Sequence, residues 1–236
     1  NGISGDGRWQ VTVQEAGATT DGRIDPPGGI GLTDVVYSYN FYVDNDIDGG
    51  AFGLGGAVSS EEVDWEENSV THEGSFDGPN GTVFFTCTSW IDAGSQVYAT
   101  EISFQSASPF GRIRLVQYLD EDVLGVTDLL VVSGEPGTSL FELLTVDVSE
   151  DVGVGQTAGF APIGARFAGW AADDFPDLRG RITGSGAAFS IDGEVNLPAT
   201  TDPRFPGSEV YGPADITTAI AFDLVTSATN ATVRFG

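Results

Sequence analysis

Several residue types are scarce or missing in this chain of 236 residues, which contains one cysteine, one histidine, no methionine and no lysine. With Cys87 as its only cysteine, the chain cannot form an internal disulfide, and the apolar run around Cys87 predicts a buried, unreactive thiol. With His72 as its only histidine, it cannot build a histidine-rich zinc site. His72, followed by Glu73, remains a candidate general base, although a single histidine on a strand is more often structural.

Positive charge is also scarce, since nine arginines face 35 acidic residues and the formal net charge is −26. A field of that sign repels phosphate backbones and anionic lipids, which argues against partners such as nucleic acids and membrane surfaces. The same field attracts cations. No apolar run reaches the length of about 18 residues that a transmembrane helix needs, so no membrane insertion is expected.

The chain also lacks an initiator methionine and any segment with the features of a signal peptide. Such an acidic surface without lysine suits a salty medium or an exported protein. We therefore expect an extracellular or cell-surface protein that has been processed, or a domain that is part of a larger exported protein.

The 33 glycines are spread through the chain and separate short runs rich in β-branched and aromatic residues. Such runs, joined by tight turns such as 79–81 and 92–95, are typical of an antiparallel all-β fold. We predict one domain over residues 1–236, a large β-sandwich. The predicted strands are 8–14, 35–43, 69–76, 82–91, 96–106, 111–119, 128–133, 140–148, 187–195, 216–224 and 231–235.

Strands 35–43, 111–119 and 216–224 alternate apolar and polar residues, which predicts that each buries one face only. Tyr37 is expected on the buried face of the first. One short helix is expected near 173–183, because the segment 170–182 has an acidic first turn with proline near its start.

The segment 44–49 carries carboxylates at alternate positions and ends in glycine. Calcium requires six to eight oxygen ligands, and this spacing places several of them around one ion. The twelfth position is Gly55 rather than glutamate and no helices flank the loop, so the pattern resembles the helix-free calcium loops of extracellular modules and not an EF-hand. Glu61 or Glu62 is expected to complete the site. The predicted calcium ligands are Asp44, Asp46 and Asp48.

Two further acidic groups stand at the ends of predicted elements. The group 120–122 (Asp-Glu-Asp) follows a strand, and its simplest interpretation is a solvated strand end, with a metal site or a catalytic pair as the alternatives. For Asp173, Asp174 and Asp177 at the expected helix start, complementation of the helix dipole is a sufficient explanation.

Tryptophan is the side chain best suited to stack on sugar rings. Trp9, Trp90 and Trp170 lie among apolar neighbours, which predicts core positions. Trp65 lies in a run of acidic residues and is the best candidate for an exposed ligand-binding platform.

The region 83–155, through its segments 88–91, 111–123 and 150–153, resembles β-rich modules of secreted bacterial exoproteins with RTX-type calcium repeats. The closing segments 221–224 and 231–235 are similar to the final hairpin of galactose-mutarotase-like supersandwich domains. That resemblance implies a large twisted sandwich that holds sugars in a concave sheet. The catalytic histidine and glutamate pattern of the mutarotases is not matched, so no catalytic residue follows from it.

The leading functional hypothesis is a calcium-stabilised extracellular β-sandwich for binding or assembly, directed to carbohydrate. One alternative is a carbohydrate-active enzyme, a lyase, hydrolase or epimerase, in which a concave sheet is lined by His72, Arg112, Asp120 and Asp122. Another is a self-associating subunit of a filament or surface layer. The expected partners are therefore calcium ions, carbohydrate or further copies of the chain.

Overall fold

A computed structural model describes residues 2–4, 9–14, 16, 19–24, 33–91, 97–125, 127–138, 141–149, 153–157, 162–184 and 192–236. Within these ranges the chain forms twenty strands, one α-helix and a short 3-10 turn at Leu54–Ala57. The prediction of an all-β, sandwich-like fold with one short helix is confirmed. None of the described helical segments is long and apolar enough to cross a membrane.

The elements follow one another along the chain as many short strands. They are β1 (Gly2–Ser4), β2 (Trp9–Val13), β3 (Thr19–Ile24), β4 (Thr33–Val36), β5 (Ser38–Asp44), β6 (Phe52–Gly53), β7 (Val58–Asp64), β8 (Ser69–Gly78), β9 (Gly81–Ile91), β10 (Tyr98–Ser106), β11 (Arg114–Asp120), β12 (Asp128–Ser133), β13 (Glu142–Asp147), β14 (Gly153–Thr157), β15 (Ala165–Asp174), α1 (Asp177–Thr183), β16 (Asp192–Val195), β17 (Ala199–Thr200), β18 (Glu209–Ala214), β19 (Ile216–Leu224) and β20 (Asn230–Phe235). The predicted turn 92–95 and part of the predicted strand 187–195 lie outside the described residues.

The strands form three sheets. The central sheet has ten strands in the order β1-β2-β3-β5-β11-β19-β15-β16, with β4 beside β3 and β6 beside β5. The second sheet has the order β20-β10-β9-β8-β7, and the third has the order β14-β13-β12-β18-β17. The pairings are antiparallel except for β15 with β16, which run parallel.

The hairpin of β8 and β9 illustrates how the local sequence determines these elements. Inward and outward residues alternate strictly along β8, where Val70, His72 and Phe76 are buried and the residues between them face outward. The predicted turn at 79–81 joins the two strands, and Gly81 takes the positive φ of 134° that glycine adopts at little cost. The period of two, ended by a turn-forming sequence, is therefore sufficient to define this hairpin.

One continuous apolar cluster draws buried side chains from all three sheets, among them Phe41 and Leu115 of the central sheet, Phe85 of the second and Leu130 of the third. Cys87 belongs to this cluster and is fully buried, and burial raises the pKa of its thiol to about 12. The predicted burial of this thiol is thus confirmed. The prediction of one domain over residues 1–236 stays a prediction.

A second, smaller cluster covers the other face of the central sheet. Leu178 and Ile182 of α1 pack there against Val116 and Tyr118 of β11 and against alanines of β15 and β19. The expectation that strands 111–119 and 216–224 bury one face only is therefore wrong, because the helix covers the face that alternation assigned to solvent. The middle of the sheet is buried on both sides.

Two element boundaries also differ from expectation. Residues 170–174 belong to β15, and the helix begins only at Asp177, after a turn at Phe175 and Pro176. The predicted strand 35–43 is divided at Tyr37, because β4 pairs with β3 whereas β5 pairs with β11. Tyr37 lies in the bend between them and is 59% exposed, so its expected place on the buried face is wrong.

Candidate functional site

The ends of three neighbouring strands meet at one edge of the central sheet. Strand β11 ends at Asp120, which pairs with Thr217 near the start of β19, and the last residue of β15, Asp174, pairs with Ile216. The Glu121 amide donates a hydrogen bond to the carbonyl of Ile216 at 3.4 Å, which continues the ladder past the strand end. Acidic residues that are distant in the sequence therefore converge here. We call Asp120, Glu121, Asp122, Asp128 and Asp215 the acidic end.

Three carboxylates of the acidic end form a compact group. Asp120, Asp122 and Asp215 each offer an oxygen, and these oxygens all lie within 4.8 Å of one another. Among the described residues, it is the one group of three or more histidine, cysteine, aspartate or glutamate side chains placed so that they could hold a metal ion. Burial and the neighbouring charges of Asp122 and Asp215 raise the pKa of Asp120 to about 7, and the Arg179 guanidinium only partly opposes this.

Two further carboxylates lie deeper. Glu121 and Asp128 are both fully buried. Burial and the charges of Asp147, Asp122 and Asp215 raise the pKa of Asp128 to about 8, although its Oδ2 accepts a hydrogen bond from the Val123 amide at 3.2 Å. Burial likewise raises the pKa of Glu121 well above its usual range. The interpretation of 120–122 as a solvated strand end is therefore wrong for Asp120 and Glu121.

Two exposed aromatic rings flank the acidic end. Tyr37 and Phe175 are 59% and 38% exposed, and their ring centroids lie 6.5 Å apart in an edge-to-face arrangement. The Tyr37 amide donates to the carbonyl of Asp120, and the Phe175 amide donates to that of Asp215, each at 2.9 Å. Hydrogen bonds thus join the backbones of Tyr37 and Phe175 to those of Asp120 and Asp215. We call Tyr37 and Phe175 the aromatic pair.

An open cavity of about 660 Å³ lies on the helix side of this region, lined by Asp173, Asp174, Asp177, Gly180, Arg181 and Asn196. The Arg181 guanidinium donates to Asp173 at 2.8 Å and to Glu194 at 2.6 Å. Asp173 is therefore neutralised by an arginine. Because Asp173 and Asp174 belong to β15, only Asp177 lies in the first turn of the helix, and the helix-dipole explanation holds for that residue alone.

The loop 44–49, where calcium ligands are predicted, lies at the opposite end of the same strands, since Asp44 pairs with Arg114 while Ser38 pairs with Asp120. The loop is organised by Asn45, whose buried amide donates to Asp48 Oδ2 and to the Asp77 carbonyl, each at 2.8 Å.

The carboxylates of the loop have partners within the fold. Asp44 accepts a hydrogen bond from the Asp46 amide at 3.0 Å, and Asp46 accepts one from Arg112 at 3.1 Å. The loop ligands Asp44, Asp46 and Asp48 do not form a compact group of the kind seen at the acidic end. Calcium binding by this loop stays a prediction.

The four candidate catalytic residues do not form one group. Asp120 and Asp122 lie together, whereas Arg112 lies beside the loop, beyond the other end of β11, a strand about 20 Å long at roughly 3.3 Å per residue. His72 is fully buried in the second sheet, where its Nε2 lies 3.1 Å from Glu61 Oε2. A catalytic role for any of these four residues stays a prediction.

The burial of the tryptophans differs from expectation at one position, Trp90. Trp65 is 65% exposed in the turn between β7 and β8, and its role as a ligand platform stays a prediction. Trp170 is buried as expected. Trp90 is only partly buried and lines a cavity of about 490 Å³ beside Asn68, so its assignment to the core is wrong. The side chain of Trp9 lies outside the described residues.

Sequence reasoning missed Asp128, Asp215 and both members of the aromatic pair. A usable signal existed for Asp215, which directly precedes the alternating strand 216–224, just as Asp120 ends the strand 111–119. If those two strands had been predicted to pair in antiparallel register, the end of one and the start of the other would have been placed at the same edge. No pattern in the sequence marks Tyr37 or Phe175 as exposed.

Among solved structures, the chain is similar in fold to part of an enzyme. That enzyme is a bacterial glucoamylase in complex with acarbose, with a TM-score of 0.53 at 10% sequence identity, and the match covers 98% of this chain and 30% of the glucoamylase chain. A 4-alpha-glucanotransferase from Thermococcus litoralis matches over 99% of this chain and 36% of its own, at 8% identity and a TM-score of 0.38. No protein family and no curated protein sequence matches the chain.

At this identity the likeness to the glucoamylase shows the fold alone, and the chain spans less than a third of that enzyme's length. The large sandwich that the resemblance to supersandwich domains implies is supported at the level of fold. The resemblance to RTX-type exoproteins stays a prediction.

Proposed function

We propose that this chain is a carbohydrate-directed β-sandwich that binds an α-glucan at the aromatic pair and the acidic end. The observation that carries the proposal is the position of Tyr37 and Phe175, two residues with exposed rings whose backbone amides donate to the carbonyls of Asp120 and Asp215. Large apolar rings left in water next to polar side chains are typical of ligand sites.

The chemistry of this edge suits a sugar. An exposed ring offers an apolar face to the C–H groups of a pyranose and removes that surface from water. Carboxylates beside the ring accept hydrogen bonds from sugar hydroxyls, and charge-assisted hydrogen bonds of this kind are stronger than neutral ones. The partly exposed Asp122 and Asp215 are the carboxylates that a bound sugar would reach.

The choice of an α-glucan rests on the likeness in fold to the glucoamylase. Anionic polysaccharides are disfavoured, because a chain with a net charge of −26 repels them. Neutral glucans carry no such penalty.

Affinity electrophoresis in gels containing soluble starch tests the proposal, with maltoheptaose as a competitor. The wild-type chain is expected to be retarded, and the double change Tyr37→Ala and Phe175→Ala is expected to weaken binding at least about tenfold, which corresponds to about 1.4 kcal/mol. The matched control is Phe84→Ala, which removes another ring, 58% exposed, on the outer face of β9.

Two results would overturn this assignment. Absence of retardation in starch would remove the α-glucan, and unchanged retardation of the double variant would remove the aromatic pair. Loss of binding in Trp65→Ala, with the double variant unaffected, would transfer the site to the tryptophan that the sequence predicts.

A carbohydrate-active enzyme is the second candidate, and one observation favours it. The pKa of Asp120 is raised to about 7, beside a second carboxylate, and a protonated acid next to an ionised one is the arrangement that glycoside hydrolysis uses. Release of reducing ends from soluble starch, abolished by Asp120→Asn, would promote this candidate. No release from neutral glucans would eliminate it for that substrate class.

The proposal includes calcium stabilisation and an extracellular location, and composition alone supports these two parts. The excess of carboxylates suits a medium rich in divalent cations. Self-association remains a third possibility for the same exported chain, and concentration-dependent light scattering would identify it.

A further inference from the structure

We propose that Asp120, Asp122 and Asp215 bind a calcium ion, with Oδ1 of Asp128 as a fourth ligand. This site is separate from the predicted loop 44–49 and does not depend on carbohydrate binding. It is a candidate for the place where cations stabilise this strongly acidic chain.

The spacing of the three carboxylates fits one ion. Their oxygens lie within 4.8 Å of one another. Calcium binds oxygen ligands at about 2.3–2.6 Å, so two ligands on opposite sides of the ion are about 4.6–5.2 Å apart and adjacent ones are closer. The three side chains therefore span no more than a single calcium coordination sphere.

A second observation, independent of the acidic group itself, points to a ligand. Oδ1 of Asp128 is fully buried and accepts no hydrogen bond from any described residue. A buried carboxylate oxygen without a partner costs free energy that folding must offset, and such atoms are rare unless an ion or water completes them. A cation at this position would supply the missing partner.

Backbone contacts place Asp128 next to the segments that carry Asp122 and Asp215. Its Oδ2 accepts a hydrogen bond from the amide of Val123, the residue that follows Asp122. In the ladder of β12 and β18, Asp128 lies opposite Ala214, the residue that precedes Asp215. Asp128 is thus near in the fold to both Asp122 and Asp215, whose charges, after burial and the charge of Asp147, contribute to its raised pKa.

The donor set selects the class of metal. All four proposed ligands are carboxylates, which suit hard cations, whereas zinc and copper sites usually include histidine or cysteine. Magnesium demands shorter, near-octahedral bonds and usually keeps several waters, which a buried group of carboxylates from separate strand ends does not favour. Calcium tolerates irregular geometry and a larger number of charged ligands.

Thermal unfolding of the chelator-treated protein, with and without added calcium chloride, tests the proposal. Calcium is expected to raise Tm in a saturable manner, because an ion that binds only the folded state stabilises it by mass action. The double change Asp122→Asn and Asp215→Asn is expected to abolish that increase. The same change should also raise the Tm of the metal-free protein, since it removes like charges from one site.

The matched control is Asp46→Asn with Asp48→Asn, which removes the same number of charges from the loop and is expected to keep the calcium response. If the first double variant does not fold, Asp215→Asn alone replaces it and should weaken the response. The proposal is overturned if calcium leaves the Tm of the wild-type protein unchanged. It is also overturned if the variant with Asp122→Asn and Asp215→Asn keeps the full increase in Tm, or if only the loop variant loses that increase. An equal response to magnesium chloride would overturn the choice of calcium.

Discussion

The loop 44–49 and the acidic end both concentrate carboxylates at the ends of β5 and β11, but they differ in how these groups are satisfied. In the loop, the side chain of Asn45 donates to Asp48 and to the Asp77 carbonyl, and its Oδ1 accepts from the amides of Ile47 and Asp48 at 3.1 and 3.3 Å. At the acidic end, buried oxygens crowd together and Asp128 Oδ1 has no partner among the described residues.

This difference indicates which of the two regions requires a cation to neutralise its carboxylates. In the loop, one oxygen of each aspartate accepts a hydrogen bond, from a backbone amide at Asp44, from an arginine at Asp46 and from an amide side chain at Asp48. A group of like charges at a buried edge raises its own pKa values and remains unfavourable until protons or a metal neutralise it. We therefore expect the carboxylates that converge from different strands to bind a cation more readily than the alternating aspartates of the loop.

The largest expected effect on the free energy of unfolding comes from truncating a helix side chain that packs on the strand leading to the acidic end, compared with truncating a side chain of the loop. Leu178→Ala removes a fully buried side chain of α1 that covers the face of β11 leading to Asp120, and it should lower the free energy of unfolding by about 2–5 kcal/mol. Ile47→Ala, which truncates a side chain that is 53% exposed in the loop, is the matched control and should change it by less than about 0.5 kcal/mol. Urea unfolding of both variants measures the difference, and equal losses would contradict the role given to the helix.

A smaller effect is expected in the loop. Asn45 is 1% exposed, and Asn45→Ala leaves several backbone groups without their partner, so we expect a loss of about 1–3 kcal/mol whether or not calcium is present. Urea unfolding in chelator and in calcium measures it. A loss that appears only in calcium would mean that Asn45 organises a metal site, and would favour the loop over the acidic end.

How far the sequence predicts these regions depends on the range of the interactions. The alternation of β8 and the glycine turn after it were predictable, because a hairpin is a local structure. The burial of both faces of β11 was not, because it depends on α1, which lies over 50 residues further along the chain. The loop was conspicuous because its aspartates are neighbours in the sequence, whereas joining Asp215 to Asp120 requires the pairing of β11 with β19.

The smallest expected effect concerns the ion pair that joins Arg112 to Asp46. Both side chains are more than half exposed, at 57% and 51%, so water and salt screen their attraction. Arg112→Ala should lower the free energy of unfolding by less than about 1 kcal/mol. Unfolding in low and high salt measures this, and a large loss that persists in high salt would show that Arg112 has a further structural role.

The most direct test of the account is a crystal structure of the wild-type chain grown in calcium chloride, with data collected at a long wavelength where calcium scatters anomalously. The account predicts an anomalous peak among the carboxylates of Asp120, Asp122 and Asp215, within bonding distance of Asp128 Oδ1. A peak confined to the loop 44–49, or no peak at the acidic end, would contradict it.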